Sequence, residues 1–155
     1  MLARPAALRR RGLLGMNRRN VAYIARYNER RLYPLADDKR LTKQRAEAHD
    51  VATPTLRDVI HTQHAVKDLG SRLENLSSFA IKPSRGAGGK GILVIRERSD
   101  GLFVKASGQT LTISDLQRHC SNILAGLHSL AGAPDTAIIE DLIEPDPYFE
   151  SLSVE

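Results

Sequence analysis

Gly86, Gly88, Gly89 and Gly91 fall within six residues, with Lys82, Arg85 and Lys90 beside or among them. The stretch reads FAIKPSRGAGGKGILVI over residues 79–95. Glycines carry no Cβ, so several backbone N–H groups can approach one anion together. The neighbouring cations have the matching sign, and phosphate is the natural guest of such a mixture. A plain hairpin loop with solvated charges is the competing reading.

Three phosphate-binding arrangements can be set against this loop. A P-loop needs G-x-x-x-x-G-K-[ST] before a helix. Here Lys90 is followed by Gly91 and then an apolar, β-branched run, which excludes it. A dinucleotide fingerprint needs G-x-G-x-x-G opening a helix. Gly86, Gly88 and Gly91 supply the letters, but a strand pattern follows them. The third arrangement is strand, glycine loop, strand: a flap folded over a triphosphate. Protein kinases use one with a lysine on a later strand. Val104-Lys105 lies at a similar distance, yet neither H-R-D nor D-F-G follows. Lys82 instead ends the strand before the loop, where its ammonium can reach back over phosphates.

The elements that must position these residues follow from periodicity and breakers. Residues 8–28 read as mixed helix, with Val21, Ile24 and Tyr27 at helical spacing. A connection over residues 28–35 is closed by Pro34. Asp37-Asp38 open a helix over about residues 39–49, the acids suiting its dipole, and Pro54 follows as a breaker. Leu56, Val59 and Ile60 suggest a short strand. Thr62 can cap a helix with Val66, Leu69, Leu73 and Leu76 on one face. Phe79-Ala80-Ile81 is a buried strand, residues 92–95 a second, and Gly101 turns into a third over residues 102–105. Ser114 or Thr112 caps a longer helix with an apolar stripe of Leu116, Cys120, Ile123, Leu124, Leu127 and Leu130. Residues 137–139 form a last strand. The order is a helical head, then strands alternating with helices: an α+β or α/β pattern.

Strand, Lys-Pro, glycine loop, strand resembles the ATP-grasp superfamily, and the likeness extends along the chain. In that superfamily an Asp-Lys pair begins a helix leading to a G-I-P-x-P-like turn. Asp38-Lys39 begins KRLTKQRAEAHDVATP here, with Asp50 where glycine is usual and Ala52 where proline is usual. The resemblance implies that Lys39 and Lys82 contact phosphates, with Ser84, Arg85, Gly86, Gly88, Gly89 and Gly91 forming the covering loop. It implies that Glu140, ending the last strand, faces the adenine amino group. Asp141 to Ile143 would offer backbone contacts, and Glu144 or Asp146 would bind ribose. LLGMNRRN, Arg31-Leu-Tyr-Pro-Leu, DDKRLTK, SNILAGLHSLAG and EPDPYFESLSVE are most similar to proteins related to α-L-glutamate ligases. The glutamate label is an analogy between subgroups and leaves the substrates open.

That resemblance implies an α+β fold, the N-terminal portion of an ATP-grasp enzyme. Residues 1–36 would be a basic helical head and 37–78 the preceding helices and a linker strand. Residues 79–155 would form an incomplete nucleotide-covering, β-rich lobe with a glycine-loop hairpin. In the superfamily a second, C-terminal lobe supplies the magnesium ligands, and the 15 residues after Glu140 are too few for it. The expectation is therefore a truncated product or piece, with ATP and Mg²⁺ as cofactors and no metal ligands of its own. A complete relative joins a carboxylate to an amine through an acyl-phosphate, cations stabilising the transferred phosphoryl group. This chain alone is expected to bind nucleotide weakly, to turn nothing over, and to self-associate through the uncovered lobe face.

Composition bounds these readings. The chain has 155 residues, 41% hydrophobic and 26% charged, enough for one ordinary domain or two small ones. No apolar run approaches the ~20 residues of a membrane-spanning helix. A single cysteine, Cys120, agrees with a reducing, cytoplasmic setting and, lying on the apolar stripe, reads as a core thiol. The net charge of +5 comes from residues 1–31, which hold nine arginines and one acid. That head could be a targeting peptide, a patch for nucleic acid or acidic partners, or a basic helix of the fold. No serine precedes Ser71, and aromatics are few, so the structural reading leads and nucleic acid is disfavoured. A non-catalytic binding module using this patch is the alternative to a ligase. His61 and His64, at i, i+3, lack a further ligand and read as solvated or capping residues. His119 and His128 read as surface or cap residues, and Lys105 as a solvated lysine or an extra phosphate contact.

Overall fold

The computed structural model of the chain describes residues 5–129, 132–144, 146 and 148. Leu130 and most of the closing EPDPYFESLSVE lie outside the described residues. The chain divides into two units, Met1–Ala36 and Asp37–Glu155.

In the first unit, α1 (Pro5–Arg10) is followed after residues 11–15 by a second helical run. That run joins α2 (Met16–Arg19), a π-helical stretch (Asn20–Ile24) and α3 (Ala25–Tyr27) without a break. The helix expected over residues 8–28 is thus two pieces. Val21 and Tyr27 are exposed, and none of these segments buries a residue. The connection expected over residues 28–35 is largely helical: a 3-10 turn (Arg30–Leu32) and then α4 (Tyr33–Asp37), which spans the division between units. Pro34 therefore opens a helix. Proline is tolerated in a first turn, where N–H groups have no intrahelical partner.

The second unit is built on a six-stranded sheet in the order β1-β6-β2-β3-β4-β5. Its strands are β1 (Leu56–Ile60), β2 (Phe79–Pro83), β3 (Leu93–Ser99), β4 (Leu102–Lys105), β5 (Thr110–Leu111) and β6 (Ala137–Glu140). Every pairing is antiparallel, so the fold is α+β. β6 lies between β1 and β2, and all four of its residues are buried. The helices are α5 (Lys39–Glu47), α6 (Gln63–Lys67), α7 (Leu69–Arg72) and α8 (Ile113–Leu124).

One face of the sheet carries the core. Phe79 and Ile81 of β2, Leu93 and Ile95 of β3, and Ala137 and Ile139 of β6 cluster with Leu116, Cys120 and Ile123 of α8. These α8 positions repeat at i, i+4 and i+7, the spacing of one helical face. A full capping box starts α8: Thr112 Oγ1 accepts from the Asp115 N–H, and Asp115 returns the bond to the Thr112 N–H at 2.9 Å. The stripe stops at Leu124, because Gly126 turns the chain at φ +82° and Leu127 beyond it is 69% exposed. The single helix expected through Val66 and Leu76 is broken at Asp68 into α6 and α7, though Val66, Leu69 and Leu73 are buried as a face.

Candidate functional site

Strand alternation places the chemistry on the other face of the sheet. Ile81 pairs with Ile139 toward the core, while Lys82 opposes Ile138 and Ala80 opposes Glu140. Lys82 and Glu140 are thus diagonal neighbours on one face, within reach for long side chains. Their ammonium and carboxylate are ion-paired through Glu140 Oε1. Glu140 is buried, and Lys82 is the more open member, its side chain 26% exposed. Glu140 Oε2 receives a second cation, Lys43, at 3.1 Å. Lys43 is also buried and donates to the Pro54 carbonyl.

α5 delivers that second lysine. Asp38 caps the helix, its carboxylate accepting from the Arg40 N–H at 3.0 Å and the Leu41 N–H at 3.4 Å. Lys39 and Lys43 are four residues apart and therefore share a helix face. The only residue α5 buries is Lys43, so this helix meets the sheet through charge and not through an apolar stripe. Lys39 Nζ donates to the Gly86 carbonyl at 2.5 Å, and its backbone N–H donates to the Ser84 carbonyl at 2.9 Å. The Asp-Lys pair is thereby tied to the first residues of the glycine loop.

The loop base is fixed by two buried acids. Ser84 Oγ donates to Asp38 at 2.6 Å, and the exposed Arg85 guanidinium lies 3.5 Å from the same carboxylate. Burial pushes Asp38 upward, but the Ser84 hydroxyl, the Leu41 and Arg40 N–H groups and the Arg40 charge outweigh it and hold the carboxyl below its ordinary range. Asp135 accepts from the Arg85 N–H at 3.0 Å and from Ser129 Oγ at 2.6 Å. Ser84 N–H donates to the Thr136 carbonyl at 2.8 Å. Ser84 is therefore wholly engaged within the protein. At Gly86 a Cβ would come within 2.3 Å of the Pro83 ring.

The loop tip is different. Residues 87–90 are exposed, and Gly88 and Gly89 adopt φ of +63° and +72° with nothing within 4 Å of a built Cβ. Gly91, at φ +75°, presses against the His128 ring, and its carbonyl meets His119 Nε2 at 3.0 Å. Burial holds the His119 imidazole below its usual value, with His128 and Lys105 adding to the effect and the Gly91 bond opposing it. These two histidines support the loop's trailing end, a role that sequence reasoning missed. Their spacing of nine residues carries no signal, and only the close approach of Gly91 reveals it. Lys105 Nζ donates to Gln109 Oε1 at 3.0 Å. Cys120 is buried, and burial pushes its thiol up to about 12, which makes it inert at neutral pH.

After Glu140 the chain leaves the sheet. Asp141 pairs with Arg57 at 2.5 and 2.8 Å, and its N–H donates to the Thr55 carbonyl at 3.0 Å. The Arg57 bond holds the Asp141 carboxyl below the usual range. Ile143 is 68% exposed. Glu144 is exposed, and Asp146 accepts from the Tyr148 N–H at 2.9 Å.

Lys82 and Glu140 thus share one sheet face, Lys39 holds the root of the loop that follows Lys82, and Ser84 and Asp38 brace that root. Asp141 turns to Arg57. The chemistry fits a polyanion: a buried cluster carrying two lysines to one carboxylate, beside a glycine tip open to approach. Among the described residues, no group of three or more His, Cys, Asp or Glu side chains could hold a metal ion, and no helix is long and apolar enough to cross a membrane.

An antiparallel sheet with a glycine loop between β2 and β3, preceded by an Asp-Lys helix, agrees with the N-terminal portion of an ATP-grasp fold. Residues 18–155 match the family described as sugar-transfer associated ATP-grasp, and the chain belongs to that family. The match supports the ATP-grasp superfamily and does not carry the glutamate-ligase label. No curated protein and no solved structure matches the chain.

Proposed function

We propose that this chain binds ATP on the sheet face carrying Lys82, as part of an enzyme that joins a carboxylate to an amine. When bound, ATP supplies the phosphoryl group that activates the carboxylate, and Mg²⁺ accompanies it. The observation that carries this reading is the tie between Lys39 Nζ and the Gly86 carbonyl, beside Lys82 at the end of β2. It ties one lysine to the root of the glycine loop, and the strand leading into that loop carries the other. Lys82 contributes the movable charge. Lys39 holds the loop base in place, and Gly88, Gly89 and Gly91 present backbone N–H groups that no Cβ shields. Exposed Ile143 and the backbone of residues 141–143 supply the adenine side, and Glu144 or Asp146 the ribose side. The family is described as sugar-transfer associated, so sugar-containing compounds are the first substrates to try.

A thermal-shift titration with Mg-ATP tests this, using wild type and Lys82→Ala at low and raised salt. Glu140 keeps Lys43 in that variant, so the fold is expected to survive. The expected result is saturable stabilisation in wild type, lost in Lys82→Ala and little changed by salt. Equal, salt-sensitive shifts in both proteins would contradict the site and favour the arginine-rich head as an anion patch.

A further inference from the structure

We infer that Lys43 is a positioning residue: it stays with Glu140 as a permanent counter-cation, so that Lys82 is free to leave Glu140 for a phosphate. The inference rests on the nucleotide reading above and deepens it.

The two lysines on Glu140 are not equivalent. Lys43 is 7% exposed at its side chain, is anchored twice, to Glu140 Oε2 and the Pro54 carbonyl, and belongs to a helix fixed by the Asp38 cap. Lys82 is 26% exposed and stands at the strand end that runs into the glycine loop. Two lysines on one carboxylate leave the cluster one positive charge in excess. When Lys82 swings to an arriving polyphosphate, the Lys43–Glu140 pair remains, neutral and buried. Without Lys43 the same movement would strand the Glu140 carboxylate in a site largely closed to water, which strongly opposes it. Lys82 would then stay locked on Glu140. In this account Glu140 serves as the resting place of Lys82, and Lys43 sets how readily Lys82 departs.

The test uses inorganic tripolyphosphate as well as Mg-ATP, because the former lacks adenine and reports on the phosphate side alone. Lys43→Gln removes the charge but keeps a donor for the Pro54 carbonyl. Calorimetric titration is expected to show at least tenfold weaker tripolyphosphate binding in Lys43→Gln. Lys43→Arg, which keeps the charge, should bind within about threefold of wild type. The double variant Lys43→Gln, Glu140→Gln should recover to within about threefold, since a neutral amide needs no counter-cation. A merely structural role for Lys43 would give no such rescue. Unchanged affinity in Lys43→Gln, or a loss that persists in the double variant, overturns the inference while leaving the nucleotide reading intact. Absence of binding by wild type to either ligand removes both. Circular dichroism checks that each variant is folded. If Lys43→Gln does not fold, the comparison of Lys43→Arg with Glu140→Gln decides. Glu140→Gln frees Lys82 outright and must bind tripolyphosphate at least as tightly as wild type, and weaker binding overturns the inference.

Discussion

The base and the tip of the glycine loop use the same residue type for different reasons. At the base, Gly86 is required by crowding: its backbone lies against Pro83 and is held by Lys39, next to Ser84 and the buried acids Asp38 and Asp135. At the tip, Gly88 and Gly89 meet nothing and are required only by positive φ. Tip backbone bonds are local and long, Lys90 N–H to the Ala87 carbonyl at 3.4 Å and Ile92 N–H to the Gly89 carbonyl at 3.5 Å. A loop of this design has a prebuilt root and an adaptable end. The protein spends its buried polar contacts on fixing the loop base and leaves the tip backbone exposed and loosely bonded.

Substitutions along the loop and its supports can break this contrast. The largest stability loss is expected for Asp38→Ala, which removes the α5 cap and leaves the buried Ser84 hydroxyl unpaired. Chemical denaturation should register about 3 kcal/mol, and a loss near zero would mean that the base is not held by this acid. Gly86→Ala comes next at about 2 kcal/mol, from forcing a methyl into the Pro83 ring. Gly88→Ala should cost about 1 kcal/mol, the penalty of a left-handed residue alone. If Gly88→Ala matched or exceeded Gly86→Ala, base and tip would not differ as described.

The smallest effect concerns the trailing end. His119 is half-buried against Gly91, and its folded pKa lies below the ordinary 6.5. The unfolded chain therefore binds this proton more readily. Stability is complete above the unfolded value and falls as pH drops below it. Denaturation midpoints at about pH 7.5 and 5.5 should differ less in His119→Gln than in wild type. An unchanged difference would remove His119 as the source.

How much of this was legible in the chain depends on the distance between partners. The loop, Lys82 and the Asp38-Lys39 helix start are contiguous motifs, so the resemblance to the ATP-grasp superfamily could be read from their letters. Capping at Thr62 and Thr112 is equally local, and the strands of the core read from short apolar runs. Lys43 was not legible: a lysine in a polar helix reads as solvated, and its burial arises from Pro54 and Glu140, which only the fold brings to it. The same holds for His128 behind Gly91. Glu140 read as an acid at a strand end, but the place of β6 between β1 and β2, with all four residues buried, is what sets its carboxylate out of water and against two lysines. Pro34 misled because a proline marks a helix start as readily as a stop.

Amide hydrogen exchange over residues 84–92, with and without saturating Mg-ATP, tests the central claim most directly. The account predicts slow exchange at Ser84 and Arg85 in both states, and fast exchange at residues 87–90 that slows when the nucleotide is added. Fast exchange at Ser84 and Arg85, or tip amides indifferent to nucleotide in a folded chain, would contradict it.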